Sequence, residues 1–215
     1  NLAAFVKNKK VDYRRLKYAT EVAVRLMDNV IDLFDFPVEA VNELAKKNRR
    51  IGLGIMGFAD MLYELGIKYN SPQGFGTAEK VMSVIGDSAH KMSRKLAEEK
   101  SAFPNTPSSV FAKKKIKMRN AALTTVAPTG SISMMFDTSS GIEPNFALAY
   151  VKQDKDGVQY HYLNKYFEAE LKKRRMSHEE IAKIKEEVTK TGSIQYLTDL
   201  PQDLRDTFVI SMDMD

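Results

Sequence analysis

Apolar residues recur at steps of three and four along most of this chain, which predicts a helix-rich protein. Leu16, Ala19, Ala23, Leu26, Val30 and Leu33 form one stripe, so a helix is expected from about Asp12, its N-cap, to Phe34. Pro37 stops it and opens a second helix, with Val38, Val41 and Leu44 facing inward. Lys46, Lys47, Arg49 and Arg50 close that helix where its dipole favours cations. Phe58, Met61, Leu62 and Leu65 share one face of a third helix that Gly66 ends. Ser71 to Gly76 reads as a loop, after which Thr77 opens a long helix with its stripe at Val81, Ile85, Ala89, Met92 and Leu96. Ser101 to Ser109, which holds Pro104 and Pro107, is expected to be irregular.

The pattern changes from Arg119 to Tyr150. Ala121 to Val126 is a short apolar, partly β-branched run bounded by Pro128, read as a buried strand. Thr129-Gly130-Ser131 is a tight turn, Ile132 to Phe136 a short helix, and Ser139-Ser140-Gly141 its break. Phe146 to Val151 is a second strand, and Asp154 to Gly157 the tip of a hairpin. Leu163 to Arg174 is helical, with Tyr162, Tyr166 and Leu171 among its apolar positions. Tyr160, Tyr162 and Tyr166 read as core and helix surface, not as a stacking platform. Ser177 and Glu180 form a capping box for a helix that carries Ile181, Ile184 and Val188 and ends at Gly192. A further helical turn at Gln202 to Arg205 precedes Phe208-Val209-Ile210. Strands separated by helices imply parallel pairing and an α/β fold class.

Composition narrows the functions open to such a fold. The 215 residues are 43% hydrophobic and 28% charged, which excludes wholesale disorder. No stretch approaches the roughly 18 apolar residues of a transmembrane helix. Lys7, Lys9 and Lys10 interrupt any signal-peptide core. Cysteine is absent, which excludes a disulfide framework, a thiolate zinc site, an iron–sulfur cluster and thiol chemistry carried by this chain alone. The histidines, at 90, 161 and 178, have no short spacing and argue against a metal site. The net charge of +5 is mild, and the basic runs Lys113–Lys117 and Lys172–Arg175 read as solvated faces, so no nucleic-acid partner is expected. The opening Asn1 to Val6 reads like the middle of a strand or loop, and 207–215 stops without a closing element, so an internal fragment is expected.

Two motifs carry candidate chemistry. Gly52-x-Gly54-x-x-Gly57 matches the dinucleotide fingerprint in letters. It lacks the preceding hydrophobic strand, being preceded by Lys46-Lys47-Asn48-Arg49-Arg50, and lacks the acidic residue about 20 positions on. Close packing of small residues is the simpler reading. Ala127-Pro128-Thr129-Gly130-Ser131-Ile132-Ser133 places a strand end, a glycine turn and a helix start in succession. The first amides of that helix have no intrahelical acceptor and carry the positive end of its dipole, so they suit a phosphate. Thr129, Ser131 and Ser133 add hydroxyls. On spacing alone, ordinary N-capping by Thr129 or Ser131 outweighs anion binding. Glu143 and Asn145, in the turn after Gly141, could reach a ligand held there. Asp137 and Glu143 are the only carboxylates near the loop, and neither takes an acid or base role from sequence.

Asn1 to Val6, Arg50 to Leu62, Ala127 to Ser133 and Ser140-Gly141-Ile142-Glu143-Pro144-Asn145-Phe146 together resemble the catalytic large chain of ribonucleotide reductase, in that family's order and spacing. The Pro-Thr-Gly-Ser-Ile-Ser wording is most similar to the adenosylcobalamin-dependent class; the iron- or manganese-dependent class is the close alternative. The resemblance is strong over 1–151, weak over the helical 152–206, and moderate over 207–215, which it implies is a truncated barrel strand.

It implies a helix-rich fragment of a ten-stranded α/β barrel made of two half-barrels around a finger loop. It also implies that Pro128, Thr129, Gly130, Ser131 and Ile132 hold the substrate phosphate, reversing the preference for capping, with Ser133, Glu143 and Asn145 behind them. Gly52 to Gly57 becomes barrel packing. The family reduces ribonucleotides to 2′-deoxyribonucleotides for DNA synthesis through a thiyl radical and a reducing cysteine pair, none of which is in this chain. The fragment alone is therefore expected to be inactive. Its expected partners are a ribonucleotide and the remaining segments of a cytoplasmic enzyme, with room for a homodimer of the whole and no membrane. The competing readings are an independent NAD(P)-binding enzyme using Gly52, Gly54 and Gly57, and a basic helical adaptor or nucleic-acid binder.

Overall fold

A computed structural model describes residues 1–153 and 155–214, and its contacts divide the chain into two units. One unit comprises Asp12–Gly54 and Glu79–Ala127; the other comprises Asn1–Val11, Ile55–Ala78 and Pro128–Asp215.

In the first of these units, α1 (Tyr13–Leu33) starts where expected, with the Asp12 carboxylate accepting from the Arg15 amide at 2.9 Å. Its buried face keeps Leu16 of the expected stripe and then departs from it. Leu16, Thr20, Val24 and Asp28 point inward, while Leu26, Val30 and Leu33 are exposed, Leu33 by 87%. The cause is a charge that hydrophobic periodicity ignores. Asp28 is fully buried and receives Arg49 Nε at 2.9 Å, Asn120 Nδ2 at 3.0 Å and Arg119 Nε at 3.2 Å. Thr20 tolerates burial because its hydroxyl donates to the Leu16 carbonyl.

Helix α2 (Glu39–Asn48) begins two residues after Pro37, with Val38 at its N-cap. Val38, Val41 and Leu44 do not face inward as expected; all three are exposed, and Val41 and Leu44 line an open apolar groove with Val30. Arg49 does more than answer a helix dipole. It adopts a left-handed conformation (φ +49°) that turns its guanidinium onto Asp28 and Asp32.

The long helix α4 (Pro72–Lys100) buries Val81, Ile85, Ala89, Met92 and Leu96 as predicted. It starts five residues before Thr77, so Ser71–Gly76 is no loop. Ser71 accepts from the Gly74 amide at 3.0 Å, and Pro72 takes the first helical position, which needs no donor. Ala89, Met92 and Leu96 pack with Val24, Ile51, Phe103, Met118 and Leu123 in one core. A short helix, α5, spans Val110–Lys113.

The expected strand 121–126 is reduced to a single parallel bridge, Leu53 to Thr124. The Ile51 amide donates to Ala122 O, Leu53 to Leu123 O, and Thr125 back to Leu53 O. Val126 is 65% exposed. Parallel ladders persist when both faces are covered, and here the pairing covers little more than one turn of bonds.

In the other unit, Val6–Lys7 (β1) and Lys10–Val11 (β2) pair as a small antiparallel hairpin that periodicity did not indicate. Helix α3 (Phe58–Leu65) ends at a left-handed Gly66, as expected. Helix α6 is Gly130–Met135. Strands β3 (Ala149–Gln153) and β4 (Gln159–Leu163) pair antiparallel, with Tyr150 opposite Tyr162. The expected hairpin is therefore present, although Asp154 of its tip lies outside the described residues. Tyr160 and Tyr162 sit on a strand, not at a helix start, because α7 (Lys165–Lys173) begins only after Asn164, whose side chain accepts from the Tyr166 and Phe167 amides. Helix α8 (His178–Thr191) has the Ser177/Glu180 capping box and ends at left-handed Gly192. Helix α9 is Gln202–Thr207. Leu148, Phe167, Leu171, Val188, Leu204 and Phe208 are among the residues of this unit's core. Phe208, Val209 and Ile210 are buried, but a 3₁₀ turn follows at Ser211–Asp213, so no strand forms among the described residues 207–214. The regular sheets among the described residues are thus antiparallel, and parallel pairing survives only at the Leu53 bridge.

Asp28 is the most vulnerable point of its unit. Asp28→Ala leaves Arg49 and the nearly buried Arg119 with only the half-exposed Asp32 as a carboxylate partner and should lower stability by about 3 kcal/mol. Urea unfolding should show the midpoint fall, and Asp28→Asn, which keeps one acceptor, should cost less.

Candidate functional site

The loop singled out by sequence enters α6 through Thr129, a non-glycine residue at φ +52°. That conformation costs on the order of 1 kcal/mol and needs an external hold. The hold is the Gly141 amide, which donates to Thr129 Oγ1 at 2.7 Å. The hydroxyl is thereby drawn away from the helix, and Thr129 makes no cap bond. Ordinary capping by Thr129, the alternative weighed from spacing, is absent.

The first helical bond of α6 runs from the Ser133 amide to Thr129 O at 2.9 Å. The amides of Gly130, Ser131 and Ile132 precede it and have no acceptor among the described residues. Pro128, Gly130, Ser131 and Ile132 are exposed. A Cβ built on Gly130 meets nothing within 4 Å. The loop therefore presents successive donors at the positive end of a short helix, which is chemistry suited to an anion.

Ser133 is buried and occupied: its hydroxyl donates to Gly130 O at 2.9 Å and lies 2.7 Å from Ser140 Oγ. Asn145 does not reach toward the loop amides. Its Nδ2 donates to Asp60 Oδ1 at 2.9 Å. Glu143 is exposed, and its charge, with burial as the larger cause, holds the Tyr69 phenol above its ordinary pKa. Ser133, Glu143 and Asn145 line one cleft of about 680 Å³ together with Asp60, Asp137 and Tyr162. Pro128 to Ile132 lie outside its lining.

Two features of this cleft escaped the sequence reading. The first is Asp60, 1% exposed in α3. Its carboxylate accepts from the Ser139 amide at 2.8 Å, Thr138 Oγ1 at 2.9 Å, Asn145 Nδ2 at 2.9 Å and Asn164 Nδ2 at 3.5 Å. A signal was present: Phe58 to Tyr63 is otherwise apolar, and an acid in a wholly buried run must find partners. The second is an aromatic wall, Tyr150 stacked on Tyr162 with centroids 4.6 Å apart. Tyr162 donates its phenol to Asp137, and Lys165 Nζ lies 3.0 Å from the other Asp137 oxygen. Burial first, then Asp137, pushes the Tyr162 phenol far above its ordinary pKa.

The glycine fingerprint is not a phosphate cradle. A Cβ on Gly52 would lie 3.1 Å from Thr125 Cγ2, and one on Gly54 would lie 3.2 Å from Thr125 O. These glycines allow the close approach at the parallel bridge. Gly57 is left-handed, its amide already donates to Ser139 O at 2.7 Å, and a Cβ there would strike Asn1 and Thr138. No group of three or more metal-ligating side chains occurs among the described residues.

The family model for "Ribonucleotide reductase, barrel domain" matches residues 1–118 and 111–215. The chain is 41% identical, over all of its length, to a vitamin B12-dependent ribonucleoside-diphosphate reductase of Thermoplasma acidophilum, of which it covers 28%. It is 39% identical over 97% of its length to the Mycobacterium tuberculosis enzyme of the same name, covering 29% of that protein. The chain thus spans less than a third of the curated relatives it matches. An African swine fever virus ribonucleoside-diphosphate reductase large subunit is 27% identical over the whole chain. The solved alpha subunit of an Actinobacillus ureae class Id ribonucleotide reductase superposes on 98% of the chain, and on 37% of its own, with a TM-score of 0.75 at 23% identity. That likeness concerns the fold alone; the barrel domain is named by the family model.

The phenols supply a pH test. Burial holds Tyr63, Tyr162 and Tyr166 protonated well above the ordinary value of 10.0. In the unfolded chain they ionise first, so their contribution to stability is complete below about pH 10 and is lost as pH rises beyond it. Tyrosinate absorbance should show these three of the nine tyrosines titrating only with unfolding. One common titration of all nine near the free value would contradict the burial.

Proposed function

Because the chain belongs to the ribonucleotide reductase barrel-domain family, we infer that it is part of the catalytic barrel of an enzyme reducing ribonucleoside diphosphates to 2′-deoxyribonucleotides, and that it supplies the substrate-phosphate loop. Pro128, Thr129, Gly130, Ser131 and Ile132 hold the phosphate, and Ser133, Glu143 and Asn145 stand behind them. One observation carries this reading: consecutive amides at the exposed start of α6 lack acceptors while the Thr129 hydroxyl is drawn off to Gly141. The diphosphate level rests on the names of the relatives. Residues 1–215 are assigned to one partial catalytic barrel domain, a reading supported by the family match along both halves of the chain.

The chemistry bounds what this piece does. Loss of the ribose 2′ hydroxyl as water needs two reducing electrons, which the family draws from thiols. The chain has no cysteine, so those thiols belong to the remaining segments of the enzyme. Within that division of labour, the residues named above bind and orient the substrate's charged end and leave the proton and electron steps to other residues. Adenosylcobalamin, the expected cofactor, would supply the radical. His90, His161 and His178 join no group of three or more metal-ligating side chains among the described residues. The cytoplasm, a role in DNA synthesis and a homodimer of the whole enzyme belong to the same proposal. No described helix is long and apolar enough to cross a membrane.

Gly130→Val tests the loop. The backbone there is not left-handed and the added side chain meets open space, so the fold accepts it while the amides are masked. Losing even one charge-assisted hydrogen bond, worth about 1.5–3 kcal/mol, raises the substrate KM of the whole reductase roughly tenfold or more. An unchanged KM would overturn the assignment. The isolated 215-residue chain should show no reductase activity with any thiol-free donor.

A further inference from the structure

We propose that Asp60 is a positioning residue for the phosphate loop, acting through the 138–145 turn; this deepens the reading above and rests on it. The path is short and continuous. The Asp60 carboxylate holds Ser139 N and Thr138 Oγ1 on one oxygen, and Asn145 Nδ2 and the longer Asn164 Nδ2 contact on the other. The Asp60 amide returns a bond to Ser139 Oγ at 3.3 Å. Two residues on, the Gly141 amide fixes Thr129 Oγ1, and Ser140 Oγ meets Ser133 Oγ. Thr129 and Ser133 flank the amides that await the phosphate. The left-handed Thr129 is thus held from a turn that one buried carboxylate engages at Thr138, Ser139 and Asn145.

Stability alone does not explain an acid at this position. Every other residue from Phe58 to Tyr63 is buried and apolar or aromatic. No cation pairs with Asp60 among the described residues. A buried charge without a counter-ion is costly, and only a full set of hydrogen bonds makes it tolerable. A carboxylate offers about four lone-pair sites and no donor. Here the donors come from Thr138, Ser139, Asn145 and Asn164, so the ionised acid is the one group of this shape that opposes none of them. An amide at position 60 would turn a donor onto a donor, and the turn would shift to relieve it.

The test uses the whole reductase, with a ribonucleoside diphosphate as substrate and inorganic pyrophosphate as the probe of the anion site. Asp60→Asn should raise the substrate KM and the pyrophosphate inhibition constant together, each by about tenfold, with kcat within about threefold of the parent. Thr138→Val, which deletes one donor to the same carboxylate without changing shape, should move both constants in the same direction and carries the test if Asp60→Asn does not fold; Thr138→Ser should restore them. Ser177→Ala, which removes the distant capping box of α8, controls for lost stability and should lower the melting temperature while leaving KM alone. If Gly130→Val leaves KM unchanged, the phosphate-loop reading fails and this proposal with it. If Gly130→Val raises KM but the folded Asp60→Asn and Thr138→Val variants do not, the loop reading stands and the role of Asp60 is overturned. A fall in kcat at unchanged KM, or a KM rise in Ser177→Ala equal to theirs, overturns it as well.

Discussion

A carboxylate taken out of water must have every lone pair answered, and the candidate site is organised around that demand. Asp60 is answered by hydrogen-bond donors alone. Three of those donors lie in the segment from Thr138 to Asn145, so satisfying one acid ties down both ends of an irregular turn. Irregular segments normally drift because their backbone groups bond to water. This one is anchored at its interior, and through the Gly141 amide it passes the constraint to Thr129. The strained φ of Thr129 is the mark of that constraint: an unheld threonine would relax out of the left-handed region.

The other unit meets the same demand differently. Asp28 is buried as deeply, but its partners include the guanidinium groups of Arg49 and Arg119. Charge is balanced there, and the group ties α1 to the residues that lead into Ile51 and Ala121, where the parallel bridge begins. The balanced cluster holds a packing junction. The unbalanced one lines a cleft. A negative charge left uncompensated beside a polar cleft is what would be expected where donors must be aimed and not merely buried.

Sequence reading succeeded where local chemistry decides structure and failed where distant partners do. The stripe of α4, the capping box of α8 and the glycine stops after α3 and α8 all depend on residues within a few positions of one another, and each is present. The face of α1 was misjudged by one step because its inward side is set by Asp28, whose partners lie at least 21 residues away. The early start of α4 was hidden by two glycines and a proline that read as a loop, although Ser71-Pro72 is itself a start signal. The run 121–126 has the composition of a strand, but a strand needs a neighbour along its length, and the bonds reach only from Ile51 to Leu53. At the site, the glycine turn and helix start were legible because they are local. Asp60 was not, since its partners stand 78 to 104 positions further along the chain.

The two glycine motifs show why spacing is a weak guide to phosphate binding unless the fate of each amide is known. In the Gly52–Gly57 segment, small residues let the backbone approach Thr125, and the Gly57 amide is consumed by Ser139 O. The amide that would open the cradle at the start of α3 is not free for an anion. At Gly130 no close approach exists to explain the glycine, since a side chain there would meet open space. Its neighbours' amides are uncommitted, and the Thr129 hydroxyl that could have capped them is engaged elsewhere. A fingerprint with the right letters thus spends its glycines, and the amide of the last of them, on the fold, and a shorter motif with no fingerprint leaves its helix-start amides open. What separates a packing glycine from a binding glycine is whether the amides around it are already satisfied, and that is decided by a third segment, here the turn held by Asp60.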